Sequence, residues 1–237
     1  MIDIRQPESI YKAQGEVENG TFTGRWHFSF DEYRDSKYMQ FGSLRVFNDD
    51  TLSPGAVWPL HPHHDIEVVT YCADGEFRHA DEHGKGGVLK KGWVQHTTVG
   101  EGMWHSEINN RSDISMRFIQ MWFLPSEHNL KPSVEQKKVD KQVRTNKLFP
   151  LVSNRDPDTL KIFSDVEVYS CFLQKEEAIG YALGTGRGIY FYVLEGGPVM
   201  LNDNFIPELG AARIIDEKQL ILTANKDAEL LLVDTAL

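Results

Sequence analysis

Residues 61–84, HPHHDIEVVTYCADGEFRHADEHG, and residues 97–110, TTVGEGMWHSEINN, decide how this chain reads. Both are rich in β-branched or aromatic residues and are broken by Gly, Asp or Asn, the pattern of short strands joined by tight turns. His61 and His63 stand two apart, and side chains two apart on a strand share a face, so both imidazoles aim at one point while His64 aims away. His105 and Glu107 repeat that spacing on a second strand-like run. Three neutral imidazoles and a carboxylate on adjacent strands suit a divalent first-row ion and leave positions open for water, substrate or O2. By the same parity Glu67 falls on the face of His61 and His63, so these residues alone leave both Glu107 and Glu67 open as the carboxylate ligand.

Working outward, similar runs occur at 41–49, 65–73, 75–83, 115–125, 166–174, 188–196 and 228–236. Each is aromatic or β-branched and ends near a turn-forming residue, and long stretches of period 3.6 are absent, so the expected fold is all-β, a pair of sandwiches or small barrels. GIYFYVLEGGPVMLNDN repeats, at low resolution, the strand, glycine turn and strand of DIEVVTYCADGEFRHADEHG. A Pro- and charge-rich stretch from about 125 to 147 separates the two. The expected organisation is therefore a metal-binding domain over 1–130, a basic linker over 131–147 and a second domain over 148–237. All nine histidines lie at or before residue 128, so the second domain has no imidazole ligand and one metal per chain is expected.

At 237 residues the chain is long enough for two modest domains, each with its own core. A formal charge of −10 argues against a general nucleic-acid partner, because phosphate attraction needs a surplus of Lys and Arg. The local exception is 131–147, with six basic and two acidic side chains, which reads as a solvated linker or helix. Cys72 and Cys171 lie far apart in apolar runs and read as buried, reduced thiols. The segment MIDIRQPESI has charges where a signal peptide has its apolar stretch, and no apolar run is long enough to span a bilayer, so a cytoplasmic protein with no membrane partner is expected.

A glycine framework surrounds the candidate ligands: Gly55 before His61 and His63, then Glu67 and Gly75, and later Gly102, His105 and Asn109. It resembles both signature motifs of the cupin superfamily, with one extra residue before Gly75. More narrowly, HPHHDIEVVTY, GEFRHADEHG, TTVGEGMWHSEINN and IQMWFLP resemble the pirin family, strongly over residues 20–130 and more loosely beyond. The resemblance implies two cupin barrels, jelly rolls of the double-stranded β-helix type, the second without metal ligands. It implies one metal, usually Fe2+, with Mn, Ni, Co, Cu or Zn compatible with the same donors, held by His61, His63, His105 and Glu107. Glu67 would then stand behind a ligand imidazole and fix its tautomer. His64 departs from the family, many of whose members carry Arg or Lys there. His79, His83 and His96 read as facing solvent or the outer strands. Trp58, Met103 and Trp104 read as core or as the wall of a pocket for a flat ligand.

The resemblance also implies an activity: opening of the heterocycle of a flavonol such as quercetin by O2, with loss of carbon monoxide. Glu107 would act as ligand and base, with Glu67 as the alternative base. The rival implied by the family is an iron-dependent regulatory protein that binds a protein partner and has no dedicated catalytic role. The basic segment discriminates between the two, since pairing of its charges against the domain interface weakens the regulatory reading. A third reading, a sugar isomerase or epimerase, fits poorly with ligand strands rich in Trp and Met.

Overall fold

A computed structural model describes residues 1–82 and 86–237. In chain order its strands are β1 (Ile2–Arg5), β2 (Tyr11–Val17), β3 (Gly20–Trp26), β4 (Leu44–Leu52), β5 (Val57–His63), β6 (Glu67–Asp74), β7 (Glu76–Asp81), β8 (Gly86–Lys90), β9 (Val94–Thr98), β10 (Met103–Asn109), β11 (Met116–Phe123) and β12 (Ser133–Lys137). There follow β13 (Phe149–Ser153), β14 (Leu160–Lys161), β15 (Val166–Leu173), β16 (Ala178–Ala182), β17 (Arg187–Gly196), β18 (Val199–Leu201), β19 (Asn204–Ile206), β20 (Ala211–Ile215), β21 (Gln219–Ala224) and β22 (Ala228–Ala236). Among the described residues the only helical elements are three short 3-10 turns. The all-β expectation holds, and the expected runs at 166–174 and 228–236 match β15 and β22 to within a residue.

Four sheets make two barrels. In the first, a large sheet of order β12-β9-β6-β11-β4-β3-β2 faces a small one of order β5-β10-β7-β8. In the second, β1-β20-β17-β22-β15-β13-β14 faces β16-β21-β18-β19. The run β4 to β11 thus recurs as β15 to β22 with the same neighbours, and the weak repeat in the sequence is β6-turn-β7 against β17-turn-β18.

The edges cross the expected boundaries. β1 pairs with β20, Ile2 opposite Ile214, so the first residues complete the second barrel. β12 pairs with β9, Ser133 opposite Thr98, so part of the expected linker is a strand of the first. Several basic side chains of 131–147 are tied down against the barrels. Arg144 is buried in an ion pair with Glu229, Lys137 donates to the Asp158 carbonyl, and Lys141 lies 3.3 Å above the Phe172 ring.

The two large sheets pack face to face. Strand alternation sends Val69, Tyr71, Ile119, Met121 and Phe123 of one against Val168, Tyr190, Tyr192, Leu231 and Val233 of the other, making a continuous apolar layer between the barrels. The opposite faces line the barrel interiors. Inside the second barrel that face is mostly apolar, from Cys171 and Phe191 to Leu220, Leu222 and Leu232, with a buried Arg187–Asp234 pair at one end. The first has smaller apolar clusters, around Leu52, Cys72, Phe77 and Phe118 and around Val68, Val99 and Met103, and the remaining space is a cavity lined by both aromatic and polar side chains. Both cysteines are buried, and burial pushes their thiols up, Cys72 to about 12 and Cys171 to about 11.

Candidate metal centre

β5 and β10 are antiparallel neighbours, with His105 opposite His61 and Met103 opposite His63. This register, with the two-residue spacing on each strand, brings His61, His63 and His105 together, their ligand atoms all within 4.8 Å of one another. Ring centroids stand 4.6 to 4.9 Å apart. One ring nitrogen of His61 is committed, since Nδ1 lies 2.8 Å from the Pro59 carbonyl, which leaves Nε2 as its ligand atom. His105 Nδ1 lies 3.0 Å from His79 Nε2, while His105 Nε2 is buried without a partner among the described residues, as is His63 Nε2. Burial, reinforced by the neighbouring imidazoles, lowers His63 to about 4 and His105 to about 2, so both are neutral with lone pairs available at neutral pH. Two orphaned imidazole nitrogens beside a third free one form a donor set that fits a divalent first-row ion.

The pairing slips between His105 and Glu107, which faces Trp58 across an extra residue in β5. Glu107 is 4% exposed and accepts a hydrogen bond from Gln120 Nε2, whose Oε1 accepts from Trp122 Nε1 at 2.7 Å. The indole fixes the amide, and the amide fixes one carboxylate oxygen. Burial raises the Glu107 pKa above the usual carboxylate value, against the pull of His61 and the Gln120 bond.

Glu67 lies elsewhere. Parity along one strand from His61 fails because the chain leaves β5 at His63, turns through Asp65 at φ 48° and enters the other sheet at Glu67. The Glu67 carboxylate is buried and accepts from Phe163 N (2.9 Å), Ser164 N (2.7 Å) and Ser164 Oγ (2.7 Å), tying the first barrel to the loop before β15. The imidazole beside it is that of His96 at 3.4 Å, not a member of the cluster. Burial would raise its pKa, but these bonds hold it below the usual value.

Two more expectations change. His79 and His96 are buried rather than solvent-facing, because His79 faces the barrel interior, where it backs His105, and His96 faces the layer between the barrels beside Glu67; His83 lies outside the described residues. The pocket wall differs as well. Trp58 lines the cavity, but Met103 packs with Val68 and Val99, and Trp104 points out of the barrel, 48% exposed. The cavity of about 440 Å³ is walled instead by Phe22, Trp26, Phe30 and Trp122, with His61, His63, Glu107, Asn48 and Asp50 also facing it. Asn48-Asp49-Asp50 is a polar run in the middle of β4, but nothing in it points to the histidines.

In the second barrel β16 and β21 occupy the places of β5 and β10, and Tyr181 opposite Leu220 and Ile179 opposite Leu222 stand where the first barrel has imidazoles. Apolar side chains close that interior.

Residues 10–123 match the family model described as Pirin, and residues 151–235 the model described as Quercetinase C-terminal cupin domain. A pirin-like protein of Caulobacter vibrioides is 37% identical over 238 residues, covering 100% of both chains. A quercetin 2,3-dioxygenase of Escherichia coli K12 is 33% identical over 222 residues, 93% of this chain and 94% of that one. Among solved structures, the bacterial pirin YhhW from Escherichia coli in complex with nickel(II) superposes with a TM-score of 0.91 at 29% identity, covering 100% of this chain and 99% of that one.

Proposed function

We propose that this chain, which belongs to the pirin family, is a metal-dependent dioxygenase that opens the heterocycle of a flavonol with O2 and releases carbon monoxide. The observation that carries the reading is a three-imidazole cluster opening into an aromatic-walled cavity that also holds a raised-pKa carboxylate. His61, His63, His105 and Glu107 would hold the ion, Fe2+ in this reading. When bound, it supplies Lewis acidity toward a substrate hydroxyl and a redox-active contact for O2.

The chain's own residues supply the rest. A cavity of about 440 Å³ is within the range that encloses a flat, drug-sized ligand, and Phe22, Trp58 and Trp122 line it. Glu107, whose pKa burial raises above the usual carboxylate value, takes the proton of the flavonol 3-hydroxyl. Gln120 keeps one oxygen of Glu107 in place, leaving the other to shift between ligand and base. His79 fixes the ring of His105 from behind, as the outer partners of ligand imidazoles do.

The regulatory alternative has less support, since the basic segment is ordered against the barrels and its buried arginine is paired. The test is carbon monoxide release from quercetin that requires air, scales with metal occupancy and disappears in His61→Ala. Metal-loaded protein that binds quercetin without releasing carbon monoxide would sink the dioxygenase reading.

A further inference from the structure

We propose that Asn48 and Asp50 form a hydrogen-bonding subsite that recognises a substrate hydroxyl other than the one beside the imidazole cluster, making the ligand a neutral, polyhydroxylated aromatic. The identity of the ligand rests on the dioxygenase reading; the subsite rests on the following geometry.

Asn48, Asp50 and Leu52 alternate along β4 and face the interior of the first barrel. Leu52 joins an apolar cluster, whereas Asn48 and Asp50 face the cavity that holds His61, His63 and Glu107. Asn48 is 2% exposed, and its Oδ1 has no protein partner. Its neighbour across the ladder is Gln120, whose amide is already committed on both sides, to Glu107 and to Trp122. Asp50 is 4% exposed and accepts one bond at Oδ1, from Trp26 Nε1 at 3.1 Å. Gly24 lies opposite Asp50 in the β3–β4 pair, and a Cβ there would collide with both Asp50 Oδ1 and Trp26 Nε1. The glycine therefore makes room for the indole to hold one oxygen of a carboxyl that lines the cavity. Burial pushes the Asp50 pKa well up.

A buried polar group without a partner is destabilising, and an apolar side chain of the same shape would avoid that cost. Asn48 Oδ1 in a ligand cavity, with the Asp50 carboxyl two residues along the same face, is accounted for by a ligand that completes it. The charge of the lining narrows its class. Glu16, Asp31, Asp50 and Glu107 face the cavity, and no Lys or Arg does among the described residues, so hydroxyl groups are favoured there over carboxylate, sulfate or phosphate substituents.

The experiment titrates the metal-loaded full chain with quercetin and with 3-hydroxyflavone, which keeps only the hydroxyl–ketone pair that meets the cluster. It compares wild type with Asn48→Leu and Asp50→Leu, and metal content and thermal midpoint are measured on the same samples. Wild type is expected to prefer quercetin by about tenfold or more, one good hydrogen bond being worth about that much. Asn48→Leu is expected to lose most of that preference through weaker quercetin binding, with 3-hydroxyflavone and metal content unchanged and a thermal midpoint no lower than wild type. If Asp50→Leu does not fold because Trp26 loses its partner, Asn48→Leu alone decides, as its Oδ1 bonds no other residue. The proposal is overturned if both ligands weaken together, if neither weakens, or if Asn48→Leu lowers the midpoint by several degrees, which would make Asn48 structural. Wild type that binds both flavonols equally overturns the subsite and leaves the dioxygenase reading standing. Wild type that binds neither overturns both.

Discussion

Removing the Glu67 carboxylate separates a structural tie from a metal ligand. In Glu67→Ala, the amides of Phe163 and Ser164 lose a buried charged acceptor, while the Ser164 hydroxyl retains the Leu124 carbonyl at 2.8 Å. Two bonds to a charged group at about 1.5–3 kcal/mol each give a loss of about 4 kcal/mol, a large part of a total stability of about 5–15 kcal/mol. For a chain of this size that lowers the thermal midpoint by about 8–16 °C. The contribution also has a pH signature. Because the folded pKa lies below the unfolded value of 4.5, the stability is present above that value and lost as pH falls through the folded one. The assays are equilibrium unfolding of the metal-free protein and metal titration of the native one. The variant is expected to melt early and still bind one ion with wild-type affinity. A variant that keeps its midpoint but loses the ion would refute the argument and return Glu67 to the metal centre.

Elemental analysis should find one ion per chain and none in His105→Ala, whose circular dichroism should stay that of a β-protein because the barrel is held by apolar packing; full occupancy in the variant would contradict the three-imidazole site. Gln120→Leu, which leaves Glu107 Oε1 without its donor, is expected to weaken metal binding by about tenfold or more in a competitive chelator titration, and unchanged affinity would show that Glu107 does not need that anchor. Metal-free protein should lose stability on acidification. With His79 held to about 4 and His105 to about 2, the unfolded chain takes up protons first below its ordinary value of about 6.5, so stability falls by about 4 kcal/mol for the two groups between pH 7 and 5. Equal denaturation midpoints at the two pH values would contradict that.

The sequence carried the ligand pairs because a strand's two-residue period converts spacing directly into direction, and β5 and β10 are regular where His61, His63 and His105 lie. Glu67 misled because parity holds only within one strand, and the turn at Asp65 passes the chain from one sheet to the other. His79 and His96 were misplaced for a related reason, since the buried face of a strand is set by its sheet neighbours. The cavity wall came from β3 and β4, distant in sequence from the histidines, so Trp26 and Asp50 had no local signal linking them to the site. The barrel repeat was faintly visible, but the exchange of edge strands was not, because pairing of Ile2 with Ile214 leaves no trace in either segment.

That exchange sets an order of events during synthesis. The strands of the first barrel, with all three imidazoles, are complete when Lys137 leaves the ribosome, whereas β1 must wait for β20, which ends at Ile215. At about 5–20 residues per second that is a delay of about 4–16 s. During it the nascent protein has what it needs to capture a metal ion, yet the sheet face carrying Val69, Tyr71, Ile119, Met121 and Phe123 lies open to water until the second large sheet forms over it. The interval in which the chain is most prone to stick to others is one in which all three clustered imidazoles have already been made.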